Sequence, residues 1–140
     1  MSIGAGAVLV FQNGLIGLQL KDNLNFLSDC WKLTSFGGGI ESGETIDECL
    51  ARELEEELGL QLKNYRYEYF KPYRAVRRSG EEAVSHMFIV YDIDISLLDP
   101  KEGSLVVLDR NANLQHLQLG EFACQFLPEI IHYLTESNVI

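Results

Sequence analysis

Apolar residues fill most of Ile3 to Gln12 and return over Leu15 to Lys21, with Asn13-Gly14 between the two runs. Two apolar runs joined by Asn-Gly predict a hairpin with a type I′ turn, because both central residues of that turn need positive φ. Asp22 to Cys30 is polar and irregular and reads as a loop. Trp31 to Phe36 reads as a short strand running into Gly37-Gly38-Gly39. The next segment changes period. Thr45 with Glu48 forms a capping-box pattern, good helix formers follow, and Gly59 stands where a glycine ends a helix. The helix is therefore expected over Ile46 to Leu58.

Lys63 to Tyr73 alternates, with Tyr65, Tyr67 and Tyr69 on one face, and predicts a strand. Arg74 to Glu82 contains Arg-Arg-Ser-Gly and reads as an exposed loop. Ala83 to Ile95 is a longer strand, apolar on both faces at Phe88-Ile89-Val90, which suits a central position in a covered sheet. Ser104 to Leu108 is a further short strand. Leu127 to Leu134 is an amphipathic helix with Pro128 in its first turn, where the missing N–H does no harm. No linker or repeat interrupts this order, and 140 residues suit one domain over 1–140. The expected class is α/β, a mixed sheet with helices packed on it.

The helix carries the chemistry. At about 100° per residue, Leu50, Leu54 and Leu58 form one apolar stripe. Glu53, Glu56 and Glu57 occupy the neighbouring stripe together with Cys49, and Glu55 points away to solvent. Like charges one turn apart repel, and the repulsion grows where a sheet lowers the local dielectric. A divalent cation removes that penalty, and oxygen-only ligands select Mg²⁺ or Mn²⁺ over zinc. A Glu-rich helix by itself is ordinarily just a solvated face. What changes the reading is the glycine run before it, which permits close backbone approach and turns N–H groups toward an anion.

The formal net charge of −10 excludes a general nucleic-acid or anionic-membrane binder, since no basic excess exists to meet phosphates. It does not exclude a small phosphorylated substrate approached through cations. Cys30, Cys49 and Cys124 fit neither a zinc motif nor a closed set of disulfides, so reduced thiols and a cytoplasmic location are expected. The first ten residues resemble no signal peptide or membrane span.

Gly38, Glu44, Arg52-Glu53-Leu54, Glu56-Glu57 and Gly59-Leu60 together resemble the box of the Nudix hydrolase family, matching every specified position. The element order around the box is similar to the Nudix fold over nearly the whole chain. The resemblance implies an α/β/α sandwich and Mg²⁺-dependent hydrolysis of a pyrophosphate bond, in a nucleoside diphosphate linked to another moiety. It implies Glu53, Glu56 and Glu57 as metal ligands, with Glu53 also a candidate to deprotonate water. Arg52 would orient a glutamate, Glu44 would support the loop, and Gly38 and Gly59 would be structural. Family members often add a carboxylate from a loop outside the box. Glu102 is the leading candidate here, with Glu81, Glu82 and Asp99 behind it.

Around the box, Gly38 and Gly39, Lys21, and Arg74 and Arg77 of the basic loop are candidate substrate contacts. Solvated side chains are the plainer reading of these three basic residues. Tyr65, Tyr67, Tyr69, Tyr73 and Trp31 include candidates to stack a base, although strand aromatics mostly pack. His86 and Cys49 read as packing residues. Subgroups of the family carry a distinguishing proline or tyrosine at the positions of Ala75 to Arg78, and neither is present. That favours a nucleotide sugar or nucleoside triphosphate over ADP-ribose or a dinucleoside polyphosphate. The competing class, a Nudix-fold module that binds a nucleotide without turnover, usually loses box carboxylates, and all are present here. Dimers are common in the family, so a homodimer is compatible with this reading.

Overall fold

The computed structural model describes residues 1–22 and 31–136. In chain order the elements are β1 (Ser2–Phe11), β2 (Ile16–Asp22), β3 (Trp31–Thr34), β4 (Phe36–Gly39), α1 (Ile46–Leu58), β5 (Tyr67–Val76), β6 (Glu82–Ile93), β7 (Ser104–Leu108) and α2 (Ala123–Glu136). The strands form one mixed seven-stranded sheet, β3-β2-β1-β6-β5, with β4 also on β1 and β7 on β2. Among the named strands of the described residues, β1 and β6 pair in parallel and the other pairings are antiparallel, with one further parallel bridge between Leu33 and Leu119.

Each face of the sheet has its own core. Ala5, Ala7, Leu9, Phe88 and Val90 pack with Leu50, Leu54 and Leu58 of α1. Val8, Val10, Met87, Ile89 and Tyr91 pack with Phe126, Leu127, Ile130 and Leu134 of α2. β1 and β6 are therefore apolar on both sides, as a central strand between two helical layers must be. The α/β/α sandwich expected from the sequence is the one observed, and α1 has the expected bounds.

Four local expectations are corrected. Gly14 has φ 84° and Asn13 does not have positive φ, so the hairpin turn is not type I′. Phe11 accepts from the Gly14 N–H, and the Phe11 N–H donates to Leu15, which makes a three-residue loop closed by a left-handed glycine. The strand expected over Trp31 to Phe36 is broken at Ser35, its first half pairing with β2 and its continuation with β1. The glycine run is thus part of a strand. β5 extends to Val76, which leaves a shorter basic loop than Arg74 to Glu82. α2 begins at Ala123, so Pro128 lies inside it rather than in its first turn.

Tyr67 and Tyr69 share one face as the alternation predicts, and the alternation breaks just beyond them. Tyr69 pairs with Phe88 but Lys71 pairs with Met87, so Phe70 is an extra residue in the ladder. A bulge of this kind reverses which parity faces which layer. Tyr67 and Tyr69 consequently lie against Phe88, while Tyr73 packs edge-on to Phe126 on the opposite face. The loop expected beyond Asp22, including Cys30, lies outside the described residues. Among the described residues, no helix is long and apolar enough to cross a membrane.

Candidate active site

α1 begins as its sequence dictates. The Thr45 side chain accepts from the Glu48 N–H, and the Glu48 carboxylate accepts from the Thr45 N–H at 2.9 Å. Gly59 ends the helix at φ 67°, its N–H turned back to Glu55. The start of the helix is held to the preceding loop by Arg52. Its Nε donates to Glu44 Oε2 at 2.7 Å and its Nη2 donates to Glu44 Oε1 at 3.0 Å, a two-pronged pair. Nη2 also donates to the Gly39 carbonyl, and Nη1 donates to Glu53 Oε1 at 2.8 Å. The Arg52 bonds hold the Glu44 carboxyl below its ordinary range.

The three box carboxylates of α1 are not equivalent. Glu57 is 2% exposed. Its Oε1 accepts from the Gly37 N–H at 2.7 Å and its Oε2 accepts from Gln19 Nε2 at 3.1 Å. Burial pushes its pKa up to about 7 against these two bonds, and the Glu53 charge adds to the rise. Glu53, one turn earlier, is also raised by burial, against the pull of Arg52. Glu56 is turned outward, within 3.4 Å of Arg52 Nη1. Glu102 is exposed in the loop before β7, and its charge reaches Glu53.

Glycine is needed where the strand meets these groups. A Cβ on Gly38 would stand 2.5 Å from the Glu53 carboxyl carbon. At Gly37, φ is 147° and a Cβ would stand 2.0 Å from the Ala5 carbonyl oxygen. The glycine run therefore admits the Glu53 and Glu57 carboxylates against backbone. The Gly37 N–H, expected to face a bound anion, is directed at Glu57 instead.

A cleft of about 290 Å³ opens beside Gly37, Gly38 and Gly39. Lys21 and Arg77 line it, with Ser2, Thr34, Ser85 and Phe122 among the other walls. The Lys21 charge also acts on Glu57, so the lysine that lines the cleft is electrostatically coupled to the carboxylates. Arg77 is steadied by Ser2 Oγ at 2.9 Å and by Glu81. Arg74 does not line the cleft; its carbonyl accepts from Gln125 of α2. Glu81 lies near Met1 and Arg77, and Asp99 contributes a backbone N–H to Leu58. His86 meets Tyr69 through its Nδ1, and buried Cys49 donates weakly to the Gly38 carbonyl. Gln19, Ser2, Ser85 and Phe122 were not singled out from the sequence. Gln19 lies in the otherwise apolar run Leu18-Gln19-Leu20, a signal that could have exposed it.

Among the described residues, no three acidic, histidine or cysteine side chains stand close enough together to form a metal cage. The donor chemistry still fits a hard divalent cation. Buried Glu57 and half-buried Glu53 stand one turn apart, burial raises the pKa of both, and buried Gln19 Oε1 has no hydrogen-bond partner among the described residues. Glu53 and Glu57 could hold such an ion; Glu56 and Glu102 are exposed, and their charges act on Glu53.

Comparison with known proteins agrees with this architecture. The family model described as NUDIX domain matches residues 3–122. The NAD-capped RNA hydrolase NudC of Photobacterium profundum is 50% identical over 40 residues, 29% of this chain and 15% of that protein. NudC of Escherichia coli O1:K1 / APEC is 33% identical over 69 residues, 49% of this chain and 25% of that protein. The chain thus matches at most a quarter of the length of these relatives. A MutT NUDIX hydrolase from Burkholderia pseudomallei superposes with TM-score 0.73 at 22% identity, covering 92% of this chain and 97% of that one. An Ap4A hydrolase of C. elegans superposes with TM-score 0.72 at 12% identity, covering 97% and 99% respectively. At these identities the two structures establish the fold.

Proposed function

This chain belongs to the Nudix family, and from that premise we propose that it hydrolyses the pyrophosphate bond of a nucleoside diphosphate linked to another moiety, with Mg²⁺ as cofactor. The observation that carries the proposal is buried Glu57 with half-buried Glu53 one turn away, beside a cleft lined by Lys21 and Arg77. Such a site joins anion-binding groups to carboxylates that favour a cation.

When bound, a divalent cation supplies neutralisation of phosphate charge and polarisation of the phosphoryl group. Glu53 and Glu57 would hold it, with Glu56 and Glu102 able to join from the rim. Lys21 and Arg77 would bind phosphate oxygens and keep the scissile bond beside the carboxylates. Glu53 Oε1 is engaged by Arg52, which leaves Oε2 to take the proton of the attacking water. Arg52 fixes that carboxylate's rotamer while Glu44 fixes Arg52. Phe122 offers an apolar wall for the base or for the second moiety.

The substrates favoured are a nucleotide sugar and a nucleoside triphosphate. NAD joins two nucleotides through a pyrophosphate and belongs to the same chemical class, and the NudC relatives are named for a cap of that kind. The net charge of −10 supports a small-molecule substrate over a long polynucleotide. The test is a Mg²⁺-supplemented panel of nucleotide sugars, nucleoside triphosphates, ADP-ribose, dinucleoside polyphosphates and NAD. Phosphate is followed through a coupled phosphatase, with Glu53→Gln beside the wild type. The expected result is Mg²⁺-dependent turnover that falls about a hundredfold or more in the variant. Turnover that survives both EDTA and Glu53→Gln would refute the assignment.

A further inference from the structure

Strand β2 carries polar Gln19 between Leu18 and Leu20, yet Gln19 is only 1% exposed. Its carboxamide nitrogen has two protons and two acceptors. One is Glu57 Oε2 at 3.1 Å and the other is the Glu102 carbonyl at 3.0 Å. With Glu57 ionised, both partners there offer only lone pairs, so the amide nitrogen is the end that faces them. Its oxygen is buried without a hydrogen-bond partner among the described residues, a cost that packing alone does not explain.

Gln19 sits where two carboxylate-bearing segments meet. With the Gly37 N–H on Oε1, its bond to Oε2 pins the Glu57 carboxylate at both oxygens. The loop that carries Glu102 is fastened to the end of α1 by its backbone, since Asp99 N–H donates to Leu58 and Lys101 N–H donates to Glu57. Gly103 then brings this loop down on β2. At φ 61°, a Cβ there would stand 2.5 Å from the Leu20 carbonyl oxygen and 3.3 Å from Gln19 Cγ. Glu102 itself is exposed, so its backbone is what Gln19 controls.

We propose that Gln19 is a positioning residue that orients Glu57 and sets how near the Glu102 loop stands to Glu53 and Glu57. The proposal rests on the reading that these carboxylates hold a divalent cation. Glutamate at this position would place a second negative charge, after Glu53, against Glu57. An apolar residue would offer neither proton, and asparagine would fall one carbon short. Side chains that hold ligands from behind commonly change metal affinity tenfold to a hundredfold when removed.

The test uses the full chain and Mn²⁺ alone, with free Mn²⁺ read by EPR at neutral pH and folding read by thermal unfolding. The set is wild type, Gln19→Met, Glu102→Gln, their double variant, and Gly103→Ala. The expected result is a folded Gln19→Met with Mn²⁺ affinity down about tenfold or more. Glu102→Gln should cost less affinity in the Gln19→Met background than in wild type, because the loop has already lost its placement. Gly103→Ala disturbs the same contact from an exposed residue and should weaken Mn²⁺ binding too, which decides the matter if Gln19→Met does not fold. Unchanged affinity in Gln19→Met or in Gly103→Ala, or losses that simply multiply, would overturn the proposal while leaving the metal reading intact. A wild type that binds no Mn²⁺ would overturn both.

Discussion

Burying a carboxylic acid favours its protonated form, and this makes Glu57 a stability switch in the metal-free protein. Its folded pKa of about 7 lies above the ordinary 4.5. The fold therefore holds the proton more tightly than the unfolded chain does. The resulting stabilisation is complete below the ordinary value and is lost as pH rises through that interval to about 7. Glu53 is shifted in the same direction and adds to the slope. Thermal unfolding in EDTA should show stability falling between pH 5 and pH 7.5, with the slope reduced in Glu57→Gln. A flat profile in the wild type would show that these carboxylates are better solvated than their burial implies.

At the scale of elements, α1 and the glycine strand contribute differently, and two substitutions separate them. Thr45→Ala removes the reciprocal cap and should cost about 1 kcal/mol of stability with little change in kcat. Gly38→Ala places a methyl group 2.5 Å from the Glu53 carboxyl carbon. Displacing a reacting carboxylate by about 1 Å can cost on the order of a hundredfold in rate. Activity should therefore fall much further than melting temperature, as a parallel assay of both variants would show. The contrast also explains what the sequence revealed. The bounds of α1 rest on neighbours within one or two turns, Thr45, Glu48 and Gly59, and so are readable locally. So are Glu53 and Glu57, because helical periodicity sets them side by side. The break at Ser35 is not local: Gly6 leaves room there, since a Cβ on it would stand 2.4 Å from Ser35 Oγ. The bulge at Phe70 depends on the register with β6. The cleft draws Ser2, Lys21, Arg77, Ser85 and Phe122 from distant segments, and no spacing in the chain announces such a gathering. The apolar neighbours of Gln19 mark it as unusual, but its partners lie 38 and 83 positions away and no spacing identifies them.

At the scale of the whole molecule, the two layers meet at one sheet, and the carboxylates lie where α1, β2, β4 and the Glu102 loop converge. Binding of a cation there should stabilise the entire domain, since only the folded chain assembles the donors. At about a hundredfold excess over Kd the gain is about 3 kcal/mol, or a rise of about 10 °C in Tm. Calorimetry with Mg²⁺ or Mn²⁺ should show that rise, and the Glu53→Gln/Glu57→Gln double variant should lose it. An equal rise in the double variant would place the cation elsewhere. The most direct test of the central claim is ³¹P NMR of the panel substrates with enzyme, before and after Mg²⁺ addition. The account predicts that the diphosphate resonances of at least one substrate give way to phosphomonoester signals only with Mg²⁺ present, and not with Glu53→Gln. Diphosphate resonances that persist for every substrate with Mg²⁺ bound would contradict it.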